Sequence, residues 1–321
     1  MNRAIFALLA FCLAVAAVHL LTPMAPLIAL RRSAPDTAWL LLMEIRLPRT
    51  LLALGYGAVL GMAGAALQAL FGNPLASPDI TGSSSGAALG AVFASYWLGW
   101  SSPLALAGAG ASGALLALAL LLIIAGRRSD QTILLLAGLA VALAAGAATS
   151  LLLALAPSPF AFYDSFEWLM GSFVDRSLPQ AAVALIPAAI ACMLLAWRGR
   201  ALDLMGLGED VAASVGHDPR RLALQVIILC SLAVGACVSV CGAIGFVGLI
   251  APYAARRLTR GHPGQALIPA AIIGSILLLL ADLLVRLGPA GRVIPVGVLT
   301  TIIGVPLFIW IVATMRRSVT A

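Results

Sequence analysis

Apolar residues fill most of this chain in blocks of about twenty, the length an α-helix needs to cross a bilayer, and polar or Gly/Pro-rich breaks separate the blocks. The pattern predicts spans at about 4–30, 51–70, 103–125, 132–156, 180–197, 222–240, 266–287 and 296–314. Two more, third and eighth in chain order, follow the break at 71–86 and lie within 241–264, making about ten. Strands of a membrane barrel would alternate polar and apolar residues instead. The run from Ala4 is much longer than the about 7–15 apolar residues of a secretory signal, so it reads as the first span, with Pro23 and Pro26 at its outer end. The fold class expected is all-α, a polytopic membrane protein forming one domain over residues 1–321.

Some breaks carry more than a turn. Residues 201–221, ALDLMGLGEDVAASVGHDPRR, form the longest polar interruption. Gly206 and Gly208 interrupt helix, Glu209 and Asp210 load the first turn of a new one, and Gly216 stops it. Val211, Ala212 and Val215 give that short helix one apolar side, the shape of a docking element as well as of an ordinary capped loop. Asp218 followed by Pro219 reads as the N-cap and first turn of the next span.

In the break at 71–86, FGNPLASPDITGSSSG, two prolines forbid continuous helix, and irregular backbone at membrane depth is tolerated only against protein or a water-filled path. Gly82, Gly86 and Gly90 recur every four residues as a packing ridge, and Ser83, Ser84 and Ser85 either line a path or pack. Gly242, Gly245 and Gly248, then Pro252, predict an irregular or tightly packed helix, and the aromatic-rich segment 157–179 suits an outer interfacial loop. Asp282 and Arg286, four apart, are placed to pair on one helix face.

Composition sharpens the picture. The chain is 62% hydrophobic and 10% charged with mean hydropathy +1.09, and all 19 of its Lys+Arg residues are arginine. Without lysine there is no phosphate-binding loop of the G-x-x-x-x-G-K-[ST] type and no Schiff base, so ATP chemistry by that motif belongs to a partner. The net charge of +7 sits mainly at span ends, where it sets orientation and implies no nucleic acid. Cys12, Cys192, Cys230, Cys237 and Cys241 lie in apolar stretches and the three histidines are scattered, so no metal cluster is expected. Alternation along the chain places twelve of the 19 arginines on the side of residues 201–218, which makes that side and both termini cytoplasmic. The arginines left outside, among them Arg46, Arg49 and Arg286, need a separate reason. An ion-coupled secondary transporter would need intramembrane acids as relays, and a membrane enzyme would need paired carboxylates or a nucleophile; the sequence offers little of either.

With these motifs in view, the chain resembles the FecCD-type permease subunits of ABC importers for ferric siderophores, haem and vitamin B12. RLPRT (46–50), QALFGNPLASPDITG (68–82), LLLAG (134–138), EWLMGSF (167–173), LGEDVAASVG (207–216), GAIGFVGLIAPYAAR (242–256), ADLLVR (281–286) and PVGVLTTIIGVPLFIW (295–310) match in family order.

The resemblance implies a ten-span subunit of type II importer architecture in the bacterial inner membrane, with a second copy forming a homodimer around the path. It implies two ABC ATPase subunits, which bind ATP and Mg in place of any cofactor in this chain. They would dock on a coupling loop at 201–218 through Leu207, Gly208, Glu209, Val211, Val215 and Gly216. It also implies a periplasmic binding protein whose acidic residues meet Arg46, Arg49 and Arg286 on the outer rim. The translocation path is expected near Ser83, Ser84 and Ser85, with Asp130 and Gln131 at the inner gate, where some relatives carry small hydroxyl residues. Tyr253 stands where many relatives have histidine. PLASPDITG is closer to siderophore members, with haem and vitamin B12 as alternatives, and membrane lipid is the remaining partner.

Overall fold

A computed structural model describes residues 2–126, 131–156, 168–216, 218–288 and 294–319. Its helices are α1 (Asn2–Leu21), α2 (Met24–Ser33), α3 (Pro35–Leu40), α4 (Leu47–Leu70), α5 (Ser83–Trp97), α6 (Pro103–Ala125) and α7 (Gln131–Ala154). They continue with α8 (Leu178–Trp197), α9 (Gly199–Met205), α10 (Glu209–Ser214), α11 (Pro219–Cys241), α12 (Val247–Leu258), α13 (Leu267–Arg286) and α14 (Val296–Val319). Among the described residues, seven helical stretches are long and apolar enough to cross a membrane, and α5, α12 and the apolar part of α14 are shorter. Of these, α5 and α12 stand where the third and eighth spans were expected.

The core is built around α4, eighteen of whose twenty-four residues are buried. The sequence makes this possible by leaving side chains off one face. Gly57, Gly61 and Gly64 stand where a Cβ would collide with the backbone carbonyls of Gly274, Ala270 and Gly248, so α4 lies directly against α13 and the start of α12. The ridge of Gly86 and Gly90 on α5 meets Gly113 and Ala109 on α6 in the same way. Outer faces of α6, α7 and α8 remain apolar and uncovered, with Leu116, Ile123, Leu143 and Ile186 turned outward as in a bilayer-facing surface.

Four boundaries differ from the hydropathy reading. The first span ends at Leu21 because Pro23 cannot donate to the helical ladder, and Met24–Ser33 forms a separate helix with no buried residue. The second begins at Pro35, as α3 runs through a wider-wound stretch (Leu41–Arg46) into α4 as one rod; the wider turn accommodates Pro48, which lacks the N–H a regular turn needs. After α4 the chain folds back, so that Pro78 packs on Gly248 near Leu60, well inside the bundle. Helix α5 therefore starts part-way through, and fifteen residues suffice. Finally, the glycines at 242–248 break the helix outright: α11 stops at Cys241 and α12 restarts at Val247 after Phe246 at φ 66°.

Gly61→Val should force α4 off α13 and cost about 1–3 kcal/mol or more of stability, whereas Gly108→Ala, where no atom lies within 4 Å of the added methyl, should be neutral or slightly stabilising. Thermal unfolding of the two variants in detergent measures the contrast.

Candidate functional site

Three places gather the residues singled out above. The first is the end of the bundle where α1 finishes, α4 begins and α13 finishes. Helix α1 closes on Leu21, leaving its last carbonyls without amide partners. Arg46 Nη1 donates to Leu21 O at 2.8 Å and, more weakly, to Leu20 O at 3.4 Å, and Nη2 donates to Pro23 O at 2.9 Å. Arg286 Nη1 donates to His19 O at 2.9 Å and Thr22 O at 3.2 Å. Two guanidinium groups thus cap α1 and meet the negative end of its dipole.

At the centre sits Asp282, 1% exposed. Arg49 grips it by two bonds, Nε to Oδ2 at 2.8 Å and Nη2 to Oδ1 at 2.9 Å. Arg286 Nε reaches Oδ2 at 3.2 Å, the pairing expected from the four-residue spacing. His19, wholly buried, places Nε2 2.8 Å from the same oxygen; a carboxylate only accepts, so this nitrogen carries the proton. His19 Nδ1 lies 2.8 Å from Thr50 Oγ1. Two guanidinium groups and an imidazole share one carboxylate, and with Arg46 beside them the cluster keeps an excess of positive charge. The sequence reading missed His19, counting it among scattered histidines, although a polar residue inside an apolar span is itself a signal.

The second place is the fold-back before α5. Ser83 and Ser84 are buried and Ser85 half-buried. Ser83 Oγ lies 2.9 Å from Thr81 Oγ1, and Ser84 bonds the Asp79 carboxyl, so these two hydroxyls are engaged with protein. Asp130 lies outside the described residues; Gln131 opens α7, far along the chain from the serines, and its side chain is likewise outside them.

At the opposite end of the molecule stands α10. Glu209 opens it, Gly208 before it takes φ 115°, and Gly216 after it φ 86°, both left-handed values that favour glycine. Ala212 is fully buried under the helix, while Leu207, Val211 and Val215 are 69%, 40% and 61% exposed. The loop's base is fixed: Asp203 Oδ1 accepts from Gly264 N at 2.7 Å, and Gly264 sits on Gly199 with no room for a side chain. Asp218 caps α11 by accepting from the amides of Arg220 and Arg221. A rigidly seated helix thus presents three apolar side chains outward, far from the arginine cluster.

A model of the FecCD transport family matches residues 4–314. The vitamin B12 import system permease protein BtuC of Vibrio cholerae serotype O1 is 37% identical over 301 residues, 89% of this chain and 88% of that protein. The Fe(3+)-citrate import system permease protein YfmE of Bacillus subtilis is 37% identical, covering 87% of this chain and 83% of its own. Among solved structures, a metal-chelate type ABC transporter in an inward-facing conformation superposes with a TM-score of 0.83 at 30% identity, over 97% of this chain and 99% of that one.

Hydrogen bonds to charged groups contribute about 1.5–3 kcal/mol each. Arg46→Met, which keeps an apolar stem but removes the cap, should therefore raise hydrogen exchange in the last turn of α1 by roughly ten- to a hundredfold. Exchange followed by mass spectrometry tests this, with α11 as the internal reference.

Proposed function

The chain belongs to the FecCD transport family and is the membrane permease of an ABC importer, and on that premise we propose that it carries an iron–siderophore chelate from a periplasmic binding protein to the cytoplasm. The observation that carries the proposal is the separation of two unlike surfaces: a basic cluster at one end of the bundle and a seated apolar helix at the other. Iron–chelate cargo is supported by PLASPDITG at 74–82 and by relatives that include a probable siderophore permease of Bacillus subtilis, 35% identical over 87% of this chain. Equal identity to vitamin B12 permeases keeps cobalamin as the second reading, with haem behind it. Purifying the importer with its cognate binding protein and identifying the bound ligand by mass spectrometry separates the three.

Residues 201–218 serve, in this reading, as the coupling loop. A chain without lysine needs an ATPase partner to bind ATP and Mg, and α10 offers it an apolar ridge left exposed among the described residues. Two ATPase subunits on a homodimer, in the bacterial inner membrane with both termini cytoplasmic, complete the assembly; the arginine bias toward the α10 side supports that orientation. At the other end, excess positive charge on the rim supports docking of an acidic binding protein, since such a field steers association and fixes register. The fold-back at 71–82, irregular backbone inside the bundle, supports a path bordering α5, with the half-buried Ser85 its most open serine.

Val215→Asp places a charge on the exposed ridge and should cost several kcal/mol of ATPase association while leaving the permease folded, because Val215 is 61% exposed. Ala212→Asp, at a fully buried site, should unseat α10 itself. Pull-down of the ATPase, beside size-exclusion profiles of the permease, reads both. Retained pull-down with Val215→Asp and Val211→Asp would remove α10 from the interface.

A further inference from the structure

The three outer arginines look alike in sequence but do not spend their donors alike. Arg46, 6% exposed, gives both terminal nitrogens to the carbonyls around the end of α1, Nη1 to the last ones of the helix and Nη2 to that of Pro23 just beyond. Arg286, with a side chain 8% exposed, gives Nε to Asp282 and Nη1 to two more of those carbonyls, and its Nη2 lies 3.5 Å from His19 Nδ1. Arg49 differs. Its side chain is 17% exposed, Nε and Nη2 are held by the two oxygens of Asp282, and Nη1 has no partner among the described residues.

A guanidinium is planar with five N–H donors, so fixing one edge fixes the direction of the other. The Nη1/Nη2 edge of Arg49 is left to form a second two-bond pair, and a carboxylate is its geometric complement. Asp282 is itself held from three helices, by His19 on α1, Arg49 on α4 and Arg286 on its own α13, and it cannot swing to follow a loose partner.

We propose that Asp282 is the positioning residue of the docking site, holding one edge of the Arg49 guanidinium so that its opposite edge is presented to a carboxylate of the binding protein. The proposal rests on the docking reading above and narrows it: Arg49 makes the contact, while Arg46 and Arg286 fasten α1 beside it.

Charge and position pull in opposite directions here, which makes the idea testable. Asp282 lowers the positive potential of the rim, so a purely electrostatic role predicts that Asp282→Asn tightens binding. The positioning role predicts the reverse: an association rate unchanged or raised, and dissociation faster by about tenfold because a mobile Arg49 must be ordered at each encounter. Arg49→Lys keeps the charge but loses the fork, so it should keep the association rate and its salt dependence, speed dissociation to a similar degree, and add nothing when combined with Asp282→Asn.

The measurement is surface-immobilised permease–ATPase complex against the cognate binding protein at low and high salt. Should Asp282→Asn fail to fold, Arg49→Lys decides alone, and wild-type dissociation in that variant overturns the proposal. Tighter binding by a folded Asp282→Asn overturns it as well. Arg49→Glu separates this from the parent reading. If association with Arg49→Glu matches wild type at both salts, docking at this cluster is itself wrong. If it is slowed while Asp282→Asn and Arg49→Lys dissociate like wild type, only the positioning role falls. Vesicles of phosphatidylglycerol serve as the second probe, and a dependence on anionic lipid without any on the binding protein assigns Arg49 to a phosphate head group and overturns the proposal.

Discussion

Everything in this bundle leans on how closely α4 approaches its neighbours. In lipid there is no hydrophobic gain in hiding one apolar helix behind another, so association depends on van der Waals contact and on polar groups that find one another. Gly57, Gly61 and Gly64 supply the contact by letting backbone touch backbone along α13 and α12. That approach carries Arg49 to Asp282, 233 residues away in sequence, and Gln68 to the carbonyl of Leu249. A methyl group on the glycine face would loosen the packing and pull apart the ion pairs above it.

Local chemistry was legible in the sequence and long-range chemistry was not. Asp218 before Pro219 announced a helix start, and its side chain accepts the amides two and three residues on. Asp282 and Arg286 announced a pair by spacing alone. Glycines every four residues at 82–90 announced close packing, which Gly86 and Gly90 make. The fold-back after α4 was visible as a ban on helix, but the depth to which it returns is set by Gly248 and Leu60, whose proximity no local pattern encodes. The arginines were the hardest to read. Their place at the outer ends of spans, against the inward bias of the other twelve, marked them as unusual, yet what they bond depended on the carbonyls at the end of α1 and on Asp282, brought together only by the fold.

The two ends of the molecule solve opposite problems. At the α10 end, an apolar ridge on a rigid seat stays in water, a cost that only a covering partner removes. At the other end, charge gathered where apolar helices begin and finish is tolerable because most of its donors are used within the chain. Between them, the turn Pro78–Thr81 packs against α4, α7 and α11, and Gly242 lies against Trp168 and Gly171, so irregular backbone within the bundle meets protein, as lipid would demand.

The fastening of α1 also has a history in time. His19 is made early and Asp282 comes 263 residues later, which at 5–20 residues per second is roughly 13–50 s of synthesis. Throughout that interval α1, of whose span only 17% of the residues are buried even in the finished bundle, waits with an imidazole near its end and the carbonyls of residues 19–23 without their arginine partners. The newborn helix must be tolerated as a lone span before it becomes part of a protein, which accounts for an apolar surface so complete and a polar anchor so small.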